Sequence, residues 1–293
     1  ATRYIQEQAP GWKDHKAIAT WTGSLAQHVF PVFGGKTIRS IDTQDVLAAL
    51  RPIWTEKTET AGRIRGRIER ILDYARAQGW RDGENPARWR GHLSATLPPP
   101  SKLMKVQHHK AIGWKGISAV MEALRASEGL AAKAVRFCCL TVARSGEVRN
   151  ALWSEIDMAT RVWTIPDHKM KAGREHRVPL SADALTILQE MLPLRDSSAG
   201  DLVFPGHKRG KPLSDVALSK ALHLAAHTKE VTVHGLRSTF RDWTSDTNVC
   251  SRDVAEMALA HAIENKVEAA YRRSDLLEQR HPLMETWATY CRG

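Results

Sequence analysis

The sequence is short of cysteine, and its four cysteines form no C-x-x-C pair. Cys138 and Cys139 stand together in the apolar run V-R-F-C-C-L. Such residues read as small buried hydrophobes in a reducing compartment, not as a disulfide framework. The 13 histidines are scattered and no H-E-x-x-H occurs, so neither a structural nor a catalytic zinc site has the ligand spacing it needs. No uninterrupted apolar run is long enough to span a bilayer, and no signal-peptide pattern opens the chain. The chain starts Ala1-Thr-Arg-Tyr without an initiator Met, which reads as a processed or trimmed product. Acidic residues are outnumbered, with Asp plus Glu 32 against Lys plus Arg 43, for a formal charge of +11. That surplus points to a polyanionic partner, nucleic acid ahead of an anionic membrane. Tyrosine is also scarce: only Tyr4, Tyr74, Tyr271 and Tyr290.

What is present is enough to bury a large core over one to three domains. In the first third, Ile18, Trp21, Leu25 and Val29 recur at helical spacing within Gly11 to Phe33. After a Gly34-Gly35 turn a second helix is expected, with Thr43 as N-cap and its end disturbed by Pro52. A third carries the stripe Ile64, Ile68, Ile71, Leu72 and Ala75 and stops at Gly79. Arg63, Arg67 and Arg70 lie elsewhere on that helix at a spacing suited to phosphates. An arginine face is solvated as often as it binds; the charge of the chain and the residues downstream favour DNA. In that role these side chains set affinity and salt dependence more than sequence choice. Residues 1–96 thus read as a helical core-type DNA-binding domain. L-P-P-P-S-K opens a stiff, basic linker over 97–109, where Lys102 and Lys105 could track a DNA backbone or merely keep the segment soluble. Residues 110–293 form the second domain.

In that domain, Gly116 to Arg125 and Gly129 to Val142 are helical by pattern, the second almost wholly apolar. It runs into T-V-A-R-S-G-E, so Arg144 should emerge at the helix end with Glu147 able to orient it. R-V-W-T-I-P and H-R-V-P-L read as two strands of a hairpin with Lys171 near its turn. Ser181 and Ser214 are N-caps of the next two helices. His234 and Arg237, three apart in V-H-G-L-R, share a helix face. His261 closes the run Ser251 to Ala260, and Tyr271 follows ten residues later in A-A-Y-R-R-S-D. A phenol, cations that keep their protons and two imidazoles suit attack on a phosphodiester without a metal. The last helix, from about Leu276 to Tyr290, could dock on a neighbour or cover its own core with Leu276, Leu283, Met284 and Trp287.

T-V-A-R-S-G-E, the hairpin lysine before H-R-V-P-L, H-G-L-R, L-A-H and A-A-Y-R-R-S-D resemble, in order and spacing, the tyrosine recombinases. The likeness is greatest to integrases of temperate phages, satellite phages and genomic islands. Each motif is weak alone; six positions in register, spread over about 130 residues, are specific, and the likeness extends over nearly the whole chain. The resemblance implies a mainly helical fold: a helical core-binding domain, then a mixed α+β catalytic domain with a small antiparallel sheet or hairpin. It implies site-specific DNA recombination through a 3′-phosphotyrosyl intermediate, with neither metal nor ATP nor other cofactor. By the same resemblance Arg144 and Arg237 clamp the scissile phosphate and Tyr271 attacks phosphorus. Lys171 protonates the leaving 5′-oxygen, His234 assists proton transfer, His261 bonds a phosphate oxygen, and Glu147 supports Arg144. The implied partner is double-stranded DNA at core-type attachment sites. Four protomers would gather on two duplexes from a monomeric free form, with a DNA-bending or excision factor as a further partner. The implied location is the bacterial cytoplasm, at the nucleoid. Relatives usually begin with a further domain for arm-type DNA sites, whereas this chain is expected to start at the core-binding domain. Two alternatives stay open: a type IB-like topoisomerase with the same chemistry, and a catalytically silent DNA-binding regulator.

Overall fold

The computed structural model describes residues 1–12, 16–103, 110–261 and 274–293. The chain divides into two compact units, Ala1–Val106 and Gln107–Gly293.

The first unit is helical: α1 (Thr2–Gln8), α2 (Lys16–His28), α3 (Phe30–Phe33), α4 (Thr43–Trp54) and α5 (Thr58–Ala77). Trp21, Leu25, Val46, Leu50, Ile64, Ile68 and Leu72 make its core. Each such side chain contributes roughly 1.5–3 kcal/mol by leaving water. Ile18 departs from its expected place: within α2 it is 46% exposed, while Trp21 and Leu25 are buried. The N-cap of α4 is Asp42, not Thr43. The Asp42 carboxylate accepts from the Asp45 N–H at 3.0 Å, and Asp45 accepts from the Asp42 N–H at 3.1 Å. This reciprocal box satisfies two of the N–H groups that every helix start leaves over. Pro52 does not end α4, which runs on through buried Ile53 and Trp54. The Trp54 indole donates to the Pro98 carbonyl at 2.9 Å, so burial of that last turn outweighs the hydrogen bond a proline forfeits. α5 stops as expected, with Gly79 at φ +71° just beyond it. Part of the stretch expected as linker packs on this unit. Leu97 is buried, and Leu103 at the end of α6 (Pro100–Leu103) rests against the core.

The second unit begins with α7 (Ile117–Arg125), α8 (Leu130–Thr141) and α9 (Ser145–Arg149). A three-stranded antiparallel sheet follows: β1 (Ile156–Asp157), β2 (Val162–Ile165) and β3 (His176–Pro179). Trp163 pairs with Val178, and Ile165 with His176. Then come α10 (Ala182–Met191), α11 (Asp215–Ala225), α12 (Gly235–Thr247), α13 (Arg252–Ala258) and α14 (Leu277–Arg292). The mainly helical fold with a small sheet is therefore present, though β1 has too few residues to show an alternating pattern. α8 is the central helix; Phe137, Cys138, Cys139 and Leu140 are all buried. All four cysteines are free, three of them buried, and burial pushes the Cys138 thiol up out of reach of neutral pH. α14 covers its own core: Leu283, Met284 and Trp287 are buried, and the Trp287 indole donates to the Cys139 carbonyl at 2.8 Å. No helix among the described residues is long and apolar enough to cross a membrane.

Candidate active site

The site is built on the end of one helix. α13 stops at Ala258, with Leu259 as C-cap and Ala260 turned to φ +49°. The last carbonyls of a helix have no partner in the helix and carry its partial negative charge. Two arginines from other elements supply the missing donors. Arg237 Nη2 donates to the Leu259 carbonyl at 2.5 Å, and Arg144 Nη2 donates to the Ala260 carbonyl at 3.4 Å. Adjacent carbonyls thus fix the two guanidiniums side by side, although 93 residues part them in sequence.

Each arginine has a second anchor. Arg237 Nη1 donates to the carbonyl of Val142, the residue that ends α8 in the left-handed conformation at φ +48°. A β-branched residue adopts that conformation only at a cost. The turn aims the Val142 carbonyl at Arg237 and sends the chain directly to Arg144. There Arg144 is the N-cap of α9. Its Nη1 donates to Glu147 Oε1 at 2.7 Å and its backbone N–H to Oε2 at 2.8 Å. Glu147 is buried, so removing one partner would strand a charge at about 3–5 kcal/mol. The bonds to described residues use two of the five N–H donors of each guanidinium, and a polyanion can take others. Burial, with the neighbouring charge of Arg144, pushes Arg237 down to about 10, which still leaves it protonated at neutral pH.

α12 positions the remaining groups. His234 is its N-cap and is exposed; Arg237 lies one turn on. Gly235 between them is required, because a Cβ there would meet the Lys110 carbonyl at 2.7 Å. His261 follows the carbonyl pair directly. Its Nδ1 lies 2.6 Å from Glu256 Oε2, and Arg241 Nε donates to Glu256 Oε1 at 2.6 Å. Burial alone would raise Glu256, but His261 and Arg241 together hold it below the usual carboxylate range. The carboxylate fixes the imidazole through one nitrogen, and the His261 side chain is half-exposed. Lys171 is exposed in the turn between β2 and β3, with Gly173 at φ +64° two residues on. Tyr271 lies outside the described residues.

The expected DNA-facing side chains divide. Arg63 is exposed and pairs with Glu59 one turn back; Arg70 and Lys102 are exposed. Arg67 is committed to packing: Nη1 donates to the Thr20 carbonyl at 2.9 Å and to the Ser24 hydroxyl, and the guanidinium lies over Trp21 at 5.2 Å. Lys105 lies outside the described residues.

Comparison with known proteins covers both units of the chain. The phage integrase family matches residues 114–277, and the phage integrase central domain matches residues 1–92. The chain belongs to the phage integrase family. It is 32% identical over 269 residues to prophage integrase IntA of Escherichia coli K12, covering 90% of this chain and 62% of that protein. It therefore spans less than two thirds of the length of IntA. It is also 32% identical over 289 residues to prophage integrase IntZ of the same organism, covering 98% of this chain and 69% of that one. A crystal structure of a lambda integrase tetramer bound to a Holliday junction shares the fold, with a TM-score of 0.68 at 18% identity, over 90% of this chain and 77% of that one.

Within this member of the phage integrase family, two further groups carry no signal in the sequence alone. His176 opens β3, and burial together with the charges of Arg280, Arg144 and Arg237 pushes its imidazole down to about 3. It is neutral at any ordinary pH. Its hydrogen-bond partner is the backbone of Ala258, so three successive residues at the end of α13 serve His176, Arg237 and Arg144. Arg280, on α14, is 1% exposed and lies behind it. A histidine in H-R-V-P-L reads only as a strand residue, and an arginine in a charged helix start reads as surface. Only the tertiary fold brings them to the clamp. Among the described residues no group of three or more His, Cys, Asp or Glu side chains could hold a metal.

Proposed function

We propose that this chain is the core-binding and catalytic part of a site-specific DNA recombinase that cuts and rejoins DNA through a 3′-phosphotyrosyl link. The observation that carries this is the pair of braced guanidiniums, Arg144 and Arg237, on adjacent carbonyls next to His261. Two forked cations so fixed match the equatorial oxygens of a phosphoryl group in its pentavalent transition state, without reorganising as charge develops. The phenol oxygen of Tyr271 attacks phosphorus and the bond to the 5′-oxygen breaks. Lys171 gives a proton to that oxygen, while His234 takes up the phenol proton and His261 bonds a phosphate oxygen. A phenol titrates near 10 in water, so the adjacent cations are what make it a nucleophile at neutral pH. The link preserves the phosphodiester energy, so rejoining needs no nucleotide.

The other tyrosines fit the nucleophile role poorly. Tyr290 stacks on Trp287 and packs against Trp114 and Trp243, with ring centroids 5.7–6.1 Å apart. Tyr74 donates to Glu7 in the first unit at 2.7 Å. The substrate is duplex DNA at core-type sites. Arg63, Arg70, Lys102 and Lys105 contribute phosphate contacts, and four protomers assemble on two duplexes from a monomeric free form. The place of action is the bacterial cytoplasm, on the nucleoid.

A suicide substrate nicked beside the cleavage point tests the reading. The protein should form a covalent adduct, in EDTA as well as without it, and Tyr271→Phe should bind the DNA without forming one. An adduct in Tyr271→Phe would remove Tyr271 from its role. Relaxation of supercoiled plasmid without strand exchange between two sites would favour a topoisomerase, and binding with no adduct a silent regulator.

A further inference from the structure

Asp275 is gripped from two sides. Arg177, on β3, presents its fork, with Nε 2.9 Å from Oδ2 and Nη2 2.8 Å from Oδ1. Arg280, on α14, donates from Nη2 to Oδ2 at 3.1 Å and from Nη1 to the Arg177 carbonyl at 2.6 Å. Asp275 also accepts from the Leu277 N–H at 3.3 Å, at the start of α14. Arg280 is 1% exposed and its Nε has no partner among the described residues, so Asp275 is the one carboxylate paired with this buried cation there. A buried charge without its partner is strongly destabilised, so this carboxylate has no inexpensive place to go. α14 alone does not need such a grip, since Leu283, Met284 and Trp287 already bury its apolar face.

Position gives the grip a meaning. Arg177 neighbours His176, which bonds the backbone of Ala258 just before the two carbonyls that hold the clamp, and both lie on the strand that leaves the Lys171 turn. Asp275 stands four residues after Tyr271. Whatever path the residues between them take, four residues span at most about 14 Å.

We infer that Asp275, Arg177 and Arg280 form a positioning triad that ties the C-terminal end of the tyrosine-bearing segment to the strand carrying the lysine turn. One strand then sets both the nucleophile and the acid against the clamp. The inference rests on the roles proposed above for Tyr271 and Lys171.

The experiment uses the whole chain with Arg177→Ala, Arg177→Lys and Asp275→Asn. Arg177 is 45% exposed and its loss leaves the Asp275–Arg280 pair, so that variant folds even if Asp275→Asn does not. Covalent capture is followed at saturating nicked DNA, beside DNA affinity and melting temperature. A nucleophile held about 1 Å out of place loses on the order of a hundredfold in rate. Arg177→Ala is expected to slow capture by about tenfold to a hundredfold at unchanged DNA affinity, and Arg177→Lys to recover part of it. A 5′-phosphorothiolate leaving group, which needs no acid, should rescue Lys171→Ala but not Arg177→Ala. Wild-type capture rates in Arg177→Ala would overturn the inference. So would a loss that tracks the folded fraction and DNA affinity together, which is what a purely structural contact gives. No adduct from the unmutated protein, or an adduct from Tyr271→Phe, would instead sink the proposed function, and the triad's role with it.

Discussion

The arginines of α5 and those of the clamp differ in what holds them. Arg63 and Arg70 stand in solvent, where a guanidinium samples many rotamers and offers little but charge. Arg237 is 5% exposed and bonded to two backbone carbonyls; Arg144 is bonded to one carbonyl and one buried carboxylate. An exposed arginine attracts a polyanion, whereas a braced one can tell a phosphoryl transition state from its ground state. Arg67 is a third kind, whose donors join two helices of its own unit.

The contrast predicts a hierarchy of effects. Arg237→Lys keeps the charge but loses the fork, and should cut the rate of covalent capture by about 10²–10³-fold. If lysine served as well as arginine, the brace would be irrelevant and the contrast would fail. Next comes Lys171→Ala, expected to slow capture by about 10²-fold, since proton transfer by a positioned acid is worth at least that. A 5′-phosphorothiolate substrate should restore it; without rescue the lysine is not the acid.

Smaller effects separate the arginines of α5. Arg63→Ala and Arg70→Ala should each reduce the salt slope of DNA affinity by about 1 and leave melting unchanged. Arg67→Ala should do the reverse, costing about 1–2 kcal/mol of stability through the lost hydrogen bonds and its contact with Trp21, seen as a lower melting temperature. A melting loss at Arg70 or a salt-slope loss at Arg67 would erase the distinction between them.

The smallest effect is on pH dependence and comes from His176. Its folded pKa lies near 3, below the unfolded value of 6.5. The unfolded chain therefore binds the extra proton, and stability falls as pH drops from about 6.5 toward 3. His176→Gln should flatten the melting-temperature profile across that window while leaving it nearly unchanged above pH 7. A profile identical to that of the unmutated protein would mean the imidazole is not held neutral by burial and its arginine neighbours.

Much of this was legible in the residues. Ser181 and Ser214 cap the helices they were expected to cap, the hairpin lies where its two strands were expected, and the Arg144–Glu147 pair forms at the predicted helix end. Local chemistry decides such features, so local sequence reports them. The errors lie where packing overrides local preference. Pro52 stays helical because Trp54 is buried beyond it; Asp42 displaces Thr43 for a local reason instead, because Asp45 completes a reciprocal box. Arg67 reads like Arg63 and Arg70 in sequence, yet Trp21 and Ser24 claim it. Apart from Glu147, the brace was not legible, because main-chain carbonyls form the rest of it and no side-chain pattern announces a carbonyl.

That last point bears on how the site tolerates change. Leu259 and Ala260 hold the two guanidiniums with atoms that every amino acid has, so many replacements there keep the acceptors in place. Loss or gain of a single residue between Glu256 and His261 is another matter. It would hand each arginine the wrong oxygen and swing the imidazole off its carboxylate, so length, not composition, is what this stretch must preserve.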